Sequence, residues 1–469
     1  MSSPEPTNQM HLAAFVTAGP GRPGGWRHPN SVSDWRSAGY YQRIGRTLER
    51  ARFDLIFFAD ILAVPDRYGG SLDPQLRYGA LGSLRLDPTP ILATIAGATE
   101  HLGLAATAST TYLEPFTVAR SFATLDHLSG GRAAWNVVTS FQDAEARNFG
   151  RAEHIDRARR YDRAEEFLQV TSKLWDSWDD DALVLDRAEP LFADPERVHQ
   201  LDHKGEWFDV RGPLNVSRPP QGYPVIIQAG SSPTGRDFAA RWADVIFCSH
   251  ASLDSAKDFY AEIKGRAVAH GRQASDIKIL PAVTPVVAPT TAEAHHKSRE
   301  LTDLVPALAG LSTLAYHLDI DLSVFPHDER LPDVDVPGVQ GHYHEVREIT
   351  EKRGLTLREV GKQYGSRYEG DFVGTAEEIA DGFEQWFTEG GCDGFTVAAV
   401  YQPGAFDEFA DAVVPELQRR GLFRTDYTGA TLRENLGLAR PASGDWTKRA
   451  ATAPPPRPAR TAPTQEANR

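Results

Sequence analysis

Cysteine is scarce in this sequence, with 2 residues in a chain of 469. Cys248 and Cys392 lie far apart along the chain, and neither has a second cysteine nearby. This distribution excludes a framework of disulfide bonds and a cysteine-based zinc site. It is typical of a protein kept in a reducing compartment, so we expect a cytoplasmic location.

Positive charge is also in deficit. The 50 Lys and Arg residues are outnumbered by 64 Asp and Glu residues, which gives a formal net charge of −14. A field of this sign repels phosphate backbones and anionic lipid surfaces, so nucleic-acid and membrane partners are not expected. No apolar run is long enough to span a bilayer, and residues 1–9 lack the basic and apolar regions of a signal peptide. We predict a soluble protein whose residues 1–9 are flexible.

The common nucleotide and metal motifs are missing as well. The segment Gly19–Gly24 fits G-x-G-x-x-G, but it contains two prolines and leads into Trp26–Pro29 instead of a helix, which excludes a dinucleotide fingerprint. No Walker loop and no G-x-S-x-G elbow occur. We predict no metal site, because the close histidine pairs lack helical i, i+4 spacing and a matched acidic partner. Those pairs are His295 with His296 and His342 with His344.

What the sequence does contain is a repeated alternation of strands and helices. Eight apolar, β-branched runs are bounded by turn residues and alternate with segments of helical period. Continuous apolar strands covered by amphipathic helices favour a parallel sheet, and eight of them favour an α/β fold of the (β/α)8 type, a TIM barrel with insertions. The predicted strands are Leu12–Val16, Leu55–Ala59, Leu102–Ser109, Ala133–Thr139, Val225–Ala229, Asp244–Cys248, Ile277–Val287 and Gly394–Val400.

The predicted helices lie between these strands. The helix after Tyr161 carries apolar residues at three- and four-residue steps, which gives a single stripe facing the strands. The helix from Phe116 ends at a Gly130-Gly131 stop. Further helices are predicted at Ala38–Arg52, Ile91–Glu100, Thr234–Trp242, Leu253–His270 and Thr375–Glu389.

The spacing of the strands defines the domain organisation. Residues 10–439 are expected to form one barrel domain, with insertions near 176–224 and 289–371 that are too long for a single crossover helix. We expect the second insertion to act as a lid over the active site. Pro, Ala, Thr and Arg dominate residues 440–469, which leaves too little apolar surface to fold, so this tail is predicted to be disordered.

The segment Trp135–Ser140 ends a predicted strand in polar residues. In parallel barrels and sheets, ligands bind at the carboxyl ends of the strands, so Asn136, Thr139 and Ser140 are candidate ligand contacts. The alternative is that these residues start the next loop, since Asn, Ser and Thr are common turn formers.

A second candidate site follows the fifth predicted strand. The segment Ser231–Gly235 opens a helix, with serine as a preferred N-cap and Pro233 at a tolerated first-turn position. Backbone N–H groups and the positive end of the helix dipole would converge there on an anion. The alternative is an ordinary N-cap, which most helices have.

Several of these segments together resemble a known family. The sequence from about His11 to Leu422 is similar to the nitrilotriacetate monooxygenase, pristinamycin synthase and dibenzothiophene-sulfone monooxygenase group of the bacterial luciferase-like flavin enzymes. The segments that carry the resemblance, in the family's order, are Trp26–Pro29, Phe53–Asp60, Ala106–Thr111, Phe116–Arg132, Trp135–Ser140, Asn148–Gly150, Arg160–Phe167 and Gln228–Ser232.

The resemblance implies an FMN site. It suggests that Ser231, with Ser232 beside it, holds the FMN phosphate. Tyr161 would reach the same phosphate or the ribityl chain, although a buried tyrosine with an incidental hydrogen bond is the alternative. Three strand-end residues would lie against the flavin ring, namely Asp60, Thr107 and Asn136. For Asp60 the alternative is pairing with an arginine, because a carboxylate in that position needs a partner.

The sequence departs from the family at one position. Family members commonly carry a histidine one helical turn before the tyrosine, whereas this chain has Arg157 there and His154 three residues earlier. Arginine can hold a phosphate with two hydrogen bonds, so we keep Arg157 among the predicted cofactor ligands. The alternative is a solvated helix charge. The departure also leaves an acid–base role at this position in doubt.

The resemblance implies an FMNH2-dependent, O2-using monooxygenase of a small organic substrate that contains nitrogen or sulfur or is a xenobiotic. A separate NAD(P)H:flavin reductase would supply the reduced flavin, and the chain would form a homodimer or homotetramer. The sequence identifies neither the substrate nor a catalytic acid or base. Histidines considered for proton transfer are His11, His28, His250, His317, His342 and His344.

Three other functions remain open on the same barrel. A deazaflavin-dependent dehydrogenase would transfer hydride without O2. A non-catalytic protein would bind FMN without turnover. A sugar-processing barrel needs paired carboxylates at strand ends, for which Asp60 and the pair Asp143 and Glu145 are weak candidates.

Overall fold

Eight parallel strands close into a barrel in the computed structural model of the protein. The structure describes residues 9–453 apart from 337, 339–342, 344–345, 348–349, 352 and 367–371, and the side chains of residues 157 and 158 also lie outside the description. The barrel order is β1-β2-β3-β4-β9-β10-β11-β14. The strands are β1 (His11–Thr17), β2 (Leu55–Ala59), β3 (Gly103–Ser109), β4 (Ala133–Val138), β5 (Leu183–Asp186), β6 (Leu191–Ala193), β7 (His203–Lys204), β8 (Asp209–Val210), β9 (Val225–Gln228), β10 (Val245–Cys248), β11 (Lys278–Val283), β12 (Val286–Val287), β13 (Val373–Gly374) and β14 (Gly394–Ala398).

Helices cover the outside of the barrel and build the insertions. Within the described residues they are α1 (Ala38–Arg50), α2 (Asp73–Tyr78), α3 (Pro88–Ala96), α4 (Pro115–Ser129), α5 (Asp143–Asn148), α6 (Arg157–Trp175), α7 (Pro233–Trp242), α8 (Leu253–Ala269), α9 (Thr291–Asp303), α10 (Ala307–Leu318), α11 (Leu357–Ser366), α12 (Ala376–Thr388), α13 (Gly404–Arg419), α14 (Leu432–Asn435) and α15 (Trp446–Ala451).

The predicted TIM barrel is confirmed, with a difference at the seventh strand. The predicted run Ile277–Val287 divides in two, because β11 ends at Val283 and Val286–Val287 pairs with Val373–Gly374 outside the barrel. Pro285 lies at the break and has no N–H to give to a ladder. The other seven predicted strands agree with barrel strands to within about two residues at each end.

Local sequence explains where the helices begin and end. Helix α4 starts with Pro115, whose missing N–H would have no partner in a first turn anyway, and ends at Gly130 in the left-handed region with φ 68°. The predicted glycine stop is therefore correct. Helix α12 begins with a capping box, in which the Thr375 side chain accepts from the Glu378 N–H and the Glu378 carboxylate accepts from the Thr375 N–H.

The strands separate two hydrophobic cores. In β4, Trp135 and Val137 pack on the covering helices, whereas Ala134 faces the barrel interior with Leu55 and Val225. This alternation follows from the two-residue period of a strand. Asn136 therefore lies on the interior side of β4, in register with Thr107 of β3.

The amino-terminal end of the barrel is plugged. Leu432, Leu436 and Leu438 from the segment around α14 belong to the interior core. A Cβ on Gly103, the first residue of β3, would lie 2.6 Å from the Leu432 side chain, so glycine is needed for this close approach. A ligand that enters the barrel would therefore do so from the carboxyl ends of the strands.

The two insertions differ in character. Residues 176–224 contain the two antiparallel hairpins β5–β6 and β7–β8. Residues 289–371 contain α9, α10 and α11, and the last two helices share a hydrophobic core of their own. Gln142, in the loop after β4, donates to the Tyr316 carbonyl of α10 at 2.9 Å, so this insertion contacts the carboxyl end of the barrel.

The boundary of the predicted disordered tail differs from the structure. Residues 440–453 include α15 and hold to the barrel through polar contacts: Arg440 pairs with Asp180, and Arg449 donates to the Trp242 carbonyl at 2.6 Å. The prediction failed there because the few apolar side chains of this segment, Trp446 and Ala450, pack against the main hydrophobic core, and arginine hydrogen bonds add to that contact. Residues 454–469 lie outside the described part of the chain.

Candidate functional site

Three phenylalanines from different strands meet inside the carboxyl-terminal half of the barrel. The Phe15 ring from β1 lies 5.5 Å from the Phe57 ring and 5.5 Å from the Phe247 ring, and Phe57 and Phe247 are 5.6 Å apart. Phe15 and Phe247 remain partly exposed, and Ala229 just after β9 is exposed although β9 is buried. The carboxyl end of the barrel is thus a concave mouth with an aromatic floor.

Polar groups line the side of this mouth formed by β3 and β4. The Asn136 Nδ2 donates to Thr107 Oγ1 at 2.9 Å, and the Thr107 hydroxyl donates to the Phe58 carbonyl at 3.0 Å. Asn136 is 4 % exposed, and its Oδ1 is buried without a hydrogen-bond partner in the described part of the chain. A buried amide oxygen without a donor is costly, so Asn136 Oδ1 is an acceptor that a ligand in the mouth can use.

The residues at and just after the ends of β3 and β4 extend this polar side. Ser140 adopts a left-handed backbone conformation with φ 48°, which is unusual for serine. Its hydroxyl lies 2.9 Å from the Ser109 hydroxyl, and its carbonyl accepts from Arg160. Thr111 donates to the Thr139 carbonyl at 2.6 Å. Thr139 and Ser140 thus begin the loop after β4, and side chains hold this loop in place.

Tyr161 and the start of α7 form a corner beside the mouth, which the sequence predicts as an anion site and which we call the anion-binding corner. A Cβ on Gly235 would lie 2.6 Å from the Tyr161 hydroxyl and 3.0 Å from the Gly230 Cα. The Ser232 hydroxyl accepts from the Gly235 N–H at 3.1 Å and so caps α7. The absence of side chains at Gly230 and Gly235 lets backbone N–H groups approach a ligand at the positive end of the helix.

The other predicted phosphate ligands lie around this corner. Ser231 lies three residues after the end of β9 and is half-buried, and its carbonyl accepts from Arg236 at 2.8 Å. The Tyr161 ring packs edge-on against Phe238 of α7 at 5.5 Å. Arg157 is the first residue of α6, but its side chain lies outside the described residues. The structure therefore brings Tyr161, Ser231 and Ser232 together.

His154, noted in the sequence as displaced from the family's position, is packed in the protein. Its ring lies edge-on to Tyr112 at 5.5 Å, and its Nδ1 is 2.9 Å from the Ile155 carbonyl. The His154 Nε2 and the Tyr112 hydroxyl are both buried without hydrogen-bond partners in the described residues. Burial lowers the pKa of His154, so the neutral imidazole is favoured.

Two carboxylic acids lie in the segments that follow β2 and β4, Asp60 at the end of β2 and Glu145 in α5. Asp60 follows β2, and its Oδ1 accepts from the adjacent Ile61 N–H at 2.8 Å. Burial raises the pKa of Asp60 to about 6, against the opposing effects of that N–H and of the Arg85 charge. Burial also raises the pKa of Glu145, whose Oε1 accepts from the Leu62 N–H at 3.0 Å. Burial thus favours the protonated form of both acids.

Arg85 and Tyr316 complete this acidic corner. Arg85 donates to the Ala59 carbonyl at 3.1 Å and forms no ion pair with Asp60, so the predicted arginine partner is near but does not neutralise the carboxylate. Tyr316 from α10 is buried close to the charges of Glu145, Arg85 and Asp60, and burial raises its pKa well above the ordinary value. The neutral phenol and the arginine therefore face the same acids.

The candidate histidines are spread over the molecule. His11 lies at the opposite, amino-terminal end, 2.9 Å from buried Asp54. His28 stacks on Tyr401 at 3.8 Å between ring centroids, and His317 contacts the Tyr364 hydroxyl at 2.6 Å. His250 follows β10, and burial lowers its pKa to about 4, with the Arg236 charge adding to the effect. His342 and His344 lie outside the described residues.

Two absences can be stated for the described part of the chain. It contains no group of three or more His, Cys, Asp and Glu side chains arranged to hold a metal ion. None of its helices is both long and apolar enough to cross a membrane.

The sequence located the strand ends but missed several residues of the mouth. Asp60, Thr107 and Asn136 lie at the carboxyl ends of β2, β3 and β4. The ring cluster of Phe15, Phe57 and Phe247 was not predicted, although alternation along the three strands would have placed each ring inside. Arg85, Glu145 and Tyr316 were also missed as one group, because they come from separate loops and α10.

The closed barrel of eight parallel strands covered by helices is the fold predicted for a luciferase-like enzyme. Residues 14–394 match the model of the family described as luciferase-like monooxygenase. The chain belongs to that family, and the predicted flavin-dependent monooxygenase is thereby confirmed as its enzyme class.

Characterised relatives cover nearly the whole chain. The dibenzothiophene-sulfone monooxygenase of Rhodococcus erythropolis (strain XP) is 49% identical over 441 residues, covering 92% of this chain and 97% of the relative. Component A of nitrilotriacetate monooxygenase from Aminobacter aminovorans is 45% identical over 445 residues, with the same coverage of 92% and 97%. Both belong to the group that the sequence resembles.

A solved structure agrees with the fold. A riboflavin lyase (RcaE), whose crystal structure contains a modified FMN and riboflavin as substrate, superposes with a TM-score of 0.84 at 34% sequence identity. The match covers 92% of this chain and 96% of the lyase.

Proposed function

We propose that this chain is the oxygenase component of a two-component system, which uses FMNH2 and O2 to oxidise a small organic substrate containing nitrogen or sulfur. The observation that supports this most directly is the pairing of an anion-binding corner with an aromatic mouth beside it. The corner is of a kind that receives a phosphate, and the mouth is of a kind that receives a flat ring.

The phosphate end of FMN fits the corner by its chemistry. Ser231 and the Tyr161 hydroxyl supply donors, and the positive end of the α7 dipole adds to them, while the Gly235 N–H already donates to the Ser232 cap. The glycine pair Gly230 and Gly235 keeps the corner open, since a Cβ at either position would come within 3.0 Å of neighbouring atoms. Arg157 is the first residue of the adjoining helix α6. We assign to its guanidinium a positive charge at this site, in addition to the positive end of the α7 dipole.

The ring end of FMN fits the mouth. The pyrimidine edge of a flavin carries an N–H, which is the donor that the buried Asn136 Oδ1 lacks. Thr107 holds the Asn136 amide in orientation through the 2.9 Å hydrogen bond. The three-phenylalanine floor offers a dry apolar surface to the fused rings.

Reduced FMN, when bound, supplies the two electrons with which O2 is split between the substrate and water. The chain itself has to bind, to exclude water and to hold protons. The insertion that carries Tyr316 covers the acidic corner and acts in this proposal as the lid. Asp60, with its pKa near 6, is the group we assign to hold or release a proton next to the flavin ring.

The partners follow from the same reasoning. The sequence lacks a nicotinamide fingerprint, so a separate NAD(P)H:flavin reductase would deliver FMNH2. The designation "component A" of the relative from Aminobacter aminovorans supports a system of this kind. We further propose that the protein is a homodimer or homotetramer. We also propose a cytoplasmic location, with which the two free cysteines agree.

Binding and turnover test the proposal separately. Titration of purified protein with FMN and FMNH2 should give saturable binding, which Ser231→Ala and Tyr161→Phe should each weaken about tenfold, the effect of one charge-assisted hydrogen bond. Ser232→Ala should do the same. Ser252→Ala is its matched control, because Ser252 caps α8 by accepting from the Ser255 N–H in the same way. Unchanged affinity in all three corner variants would remove the site.

Turnover then separates the proposed monooxygenase from a deazaflavin-dependent dehydrogenase. Protein is mixed anaerobically with reduced FMN or with reduced deazaflavin and a panel of nitrogen and sulfur compounds, and O2 is added afterwards. The proposal expects incorporation of labelled oxygen from 18O2 with FMNH2 alone. Hydride transfer without O2 would support the dehydrogenase, and binding without turnover across the panel would support a non-catalytic flavin protein.

A further inference from the structure

A second concave site lies at the end of the barrel opposite to the mouth. A cavity of about 260 Å³ is lined by residues before β10, at the end of α7 and from the segments around α14 and α15. Asp244, directly before β10, lies in its wall with the three arginines Arg272, Arg433 and Arg449. These residues are remote from the proposed flavin corner, which lies at the other end of α7.

The three arginines converge on one carboxylate. Asp244 is 2 % exposed, and its oxygens lie 2.7 Å from Arg433, 3.2 Å from Arg449 and 3.8 Å from Arg272. Burial and, after it, the nearby charge of Arg449 lower the pKa of Arg272 to about 9, against the attraction of Asp244. One carboxylate thus does not balance the three guanidinium groups around it.

The rest of the lining leaves a positive surplus. Five cationic side chains face three carboxylates in the cavity wall. Arg241 pairs at 2.6 Å with Glu165, which lies outside the cavity wall. Lys448 pairs at 2.6 Å with Asp445, which is one of the three carboxylates of the wall. A net positive charge of one remains among the side chains. The carbonyl ends of α7 and α8 both face the cavity and each offset about half a charge, so the site depends on the convergence of the three guanidinium groups and not on a net charge.

We propose that this cavity binds a small oxyanion of the sulfate or phosphate class, held by Arg272, Arg433 and Arg449. Each guanidinium has five N–H donors, and the contacts to protein use part of them. Arg433 gives its Nε to the Tyr223 carbonyl at 2.9 Å, and Arg449 gives one nitrogen to the Trp242 carbonyl at 2.6 Å. A water molecule takes about 30 Å³ of liquid, so the cavity holds an oxyanion together with its hydration.

The proposal gives the C-terminal segment a role. Arg449 belongs to α15, within residues that composition alone would leave unfolded. An anion shared by Arg449 and the barrel arginines would hold α15 on the barrel. Because such an anion binds the native state and not the unfolded chain, it would stabilise the protein by mass action.

The test is a sulfate titration of the full-length protein saturated with FMN, followed by thermal unfolding, with chloride at equal ionic strength as the reference. Sulfate should raise Tm saturably beyond chloride. Arg449→Gln should raise the half-saturating sulfate concentration about tenfold over that of the native protein, with each Tm shift measured from the Tm of the same protein without sulfate. The exposed Lys448→Gln should raise this concentration less. Arg50→Gln, which removes a surface ion pair with Asp411, is the matched control and should leave it unchanged.

Two results would overturn the proposal. One is a Tm that rises equally with sulfate and with chloride. An equal rise of Tm with sulfate in the native protein and in Arg449→Gln has the same meaning. The other is loss of the sulfate response in Ser231→Ala, which would place the anion at the flavin corner. Crystals soaked in selenate give an independent readout, since an anomalous peak is expected between the three arginines and its absence contradicts the site.

Discussion

Gly310 of α10 and Gly361 of α11 bring the two helices into direct backbone contact. A Cβ on Gly310 would overlap the carbonyl oxygen of Gly361, and a Cβ on Gly361 would lie 2.5 Å from the Leu311 side chain. The same two helices bury Leu311, Leu314 and Val360 in the core of the second insertion. The position of Tyr316 over the acidic corner therefore depends on a contact that only glycine permits.

Gly310→Ala should loosen this insertion. Overpacking of this kind costs about 1–3 kcal/mol, and the barrel does not share the contact. We expect faster amide hydrogen exchange in α10 and α11, with barrel strands unaffected. Gly265→Ala in α8 is the matched control, because a Cβ there meets nothing within 4 Å. It should stabilise the protein by up to about 1 kcal/mol through helix propensity. Equal exchange rates in the two variants would contradict the role of the glycine contact.

Thr107→Val should weaken FMN binding while preserving the shape of the barrel. The substitution removes the hydroxyl that accepts from Asn136, so the amide loses its fixed orientation. Loss of one hydrogen bond corresponds to about 1 kcal/mol, or roughly a fivefold weaker affinity, measured by fluorescence titration. Thr396→Val is the control, since its hydroxyl also donates to a strand carbonyl inside the barrel, at 3.2 Å from Leu280. Affinity that falls equally in both variants would assign the effect to packing.

The barrel was predictable because its signal is local. Eight apolar runs and their turn residues are each visible over a few residues, and closure follows from their number. The run Ile277–Val287 misled because apolar residues continue beyond Pro285 into a strand that pairs elsewhere. The tail misled for the opposite reason, since Arg449 holds it by hydrogen bonds that composition does not register.

The site was predictable only in part, because its contacts join distant segments. Asn136 and Thr107 are 29 positions apart and meet through strand register. The approach of the Tyr161 hydroxyl to Gly235 depends on how α6 and α7 pack, which no short pattern encodes. Arg85 and Tyr316 converge with Asp60 from a loop and from the second insertion. Family resemblance supplied Asp60 and Ser231, whose roles stay predictions.

Asp60→Asn should change the pH dependence of stability and of turnover. The pKa of Asp60 is raised to about 6 in the folded protein, whereas an exposed aspartate titrates near 4. Ionisation therefore opposes folding, so the native protein should lose stability as pH rises from about 4 to 6 and carry the full cost above pH 6. Because Asp60 is partly exposed, we expect Asp60→Asn to gain only about 1 kcal/mol at pH 8.

Urea unfolding at pH 4.5 and pH 8 checks this sign. The stability difference between Asp60→Asn and the native protein should appear at the higher pH and vanish at the lower. The turnover profile should also lose a titration near pH 6. Asp411→Asn, at an exposed ion pair, is the control and should show neither change. A variant that is more stable at pH 4.5 than at pH 8 relative to the native protein would reverse the argument.

Arg424→Met should destabilise the barrel far more than a surface arginine variant. Asp54 is fully buried before β2, where Arg424 pairs with it, the Leu12 N–H donates to it at 2.8 Å and His11 lies 2.9 Å away. Despite the burial, the charges of Arg424 and His11 hold the pKa of Asp54 below its ordinary value. Removing Arg424 leaves an uncompensated carboxylate, which costs about 3–5 kcal/mol.

Arg50→Gln should cost less than about 1 kcal/mol in the same urea unfolding experiment, because its partner Asp411 is exposed. Since the pKa of Asp54 is depressed, the stabilisation by the pair is present above about pH 4 and is lost as pH falls below it. The difference in the free energy of unfolding between the two variants should therefore become smaller in acid. A difference that is independent of pH would show that the packing of the Arg424 side chain, and not its charge, holds the amino-terminal end of the barrel.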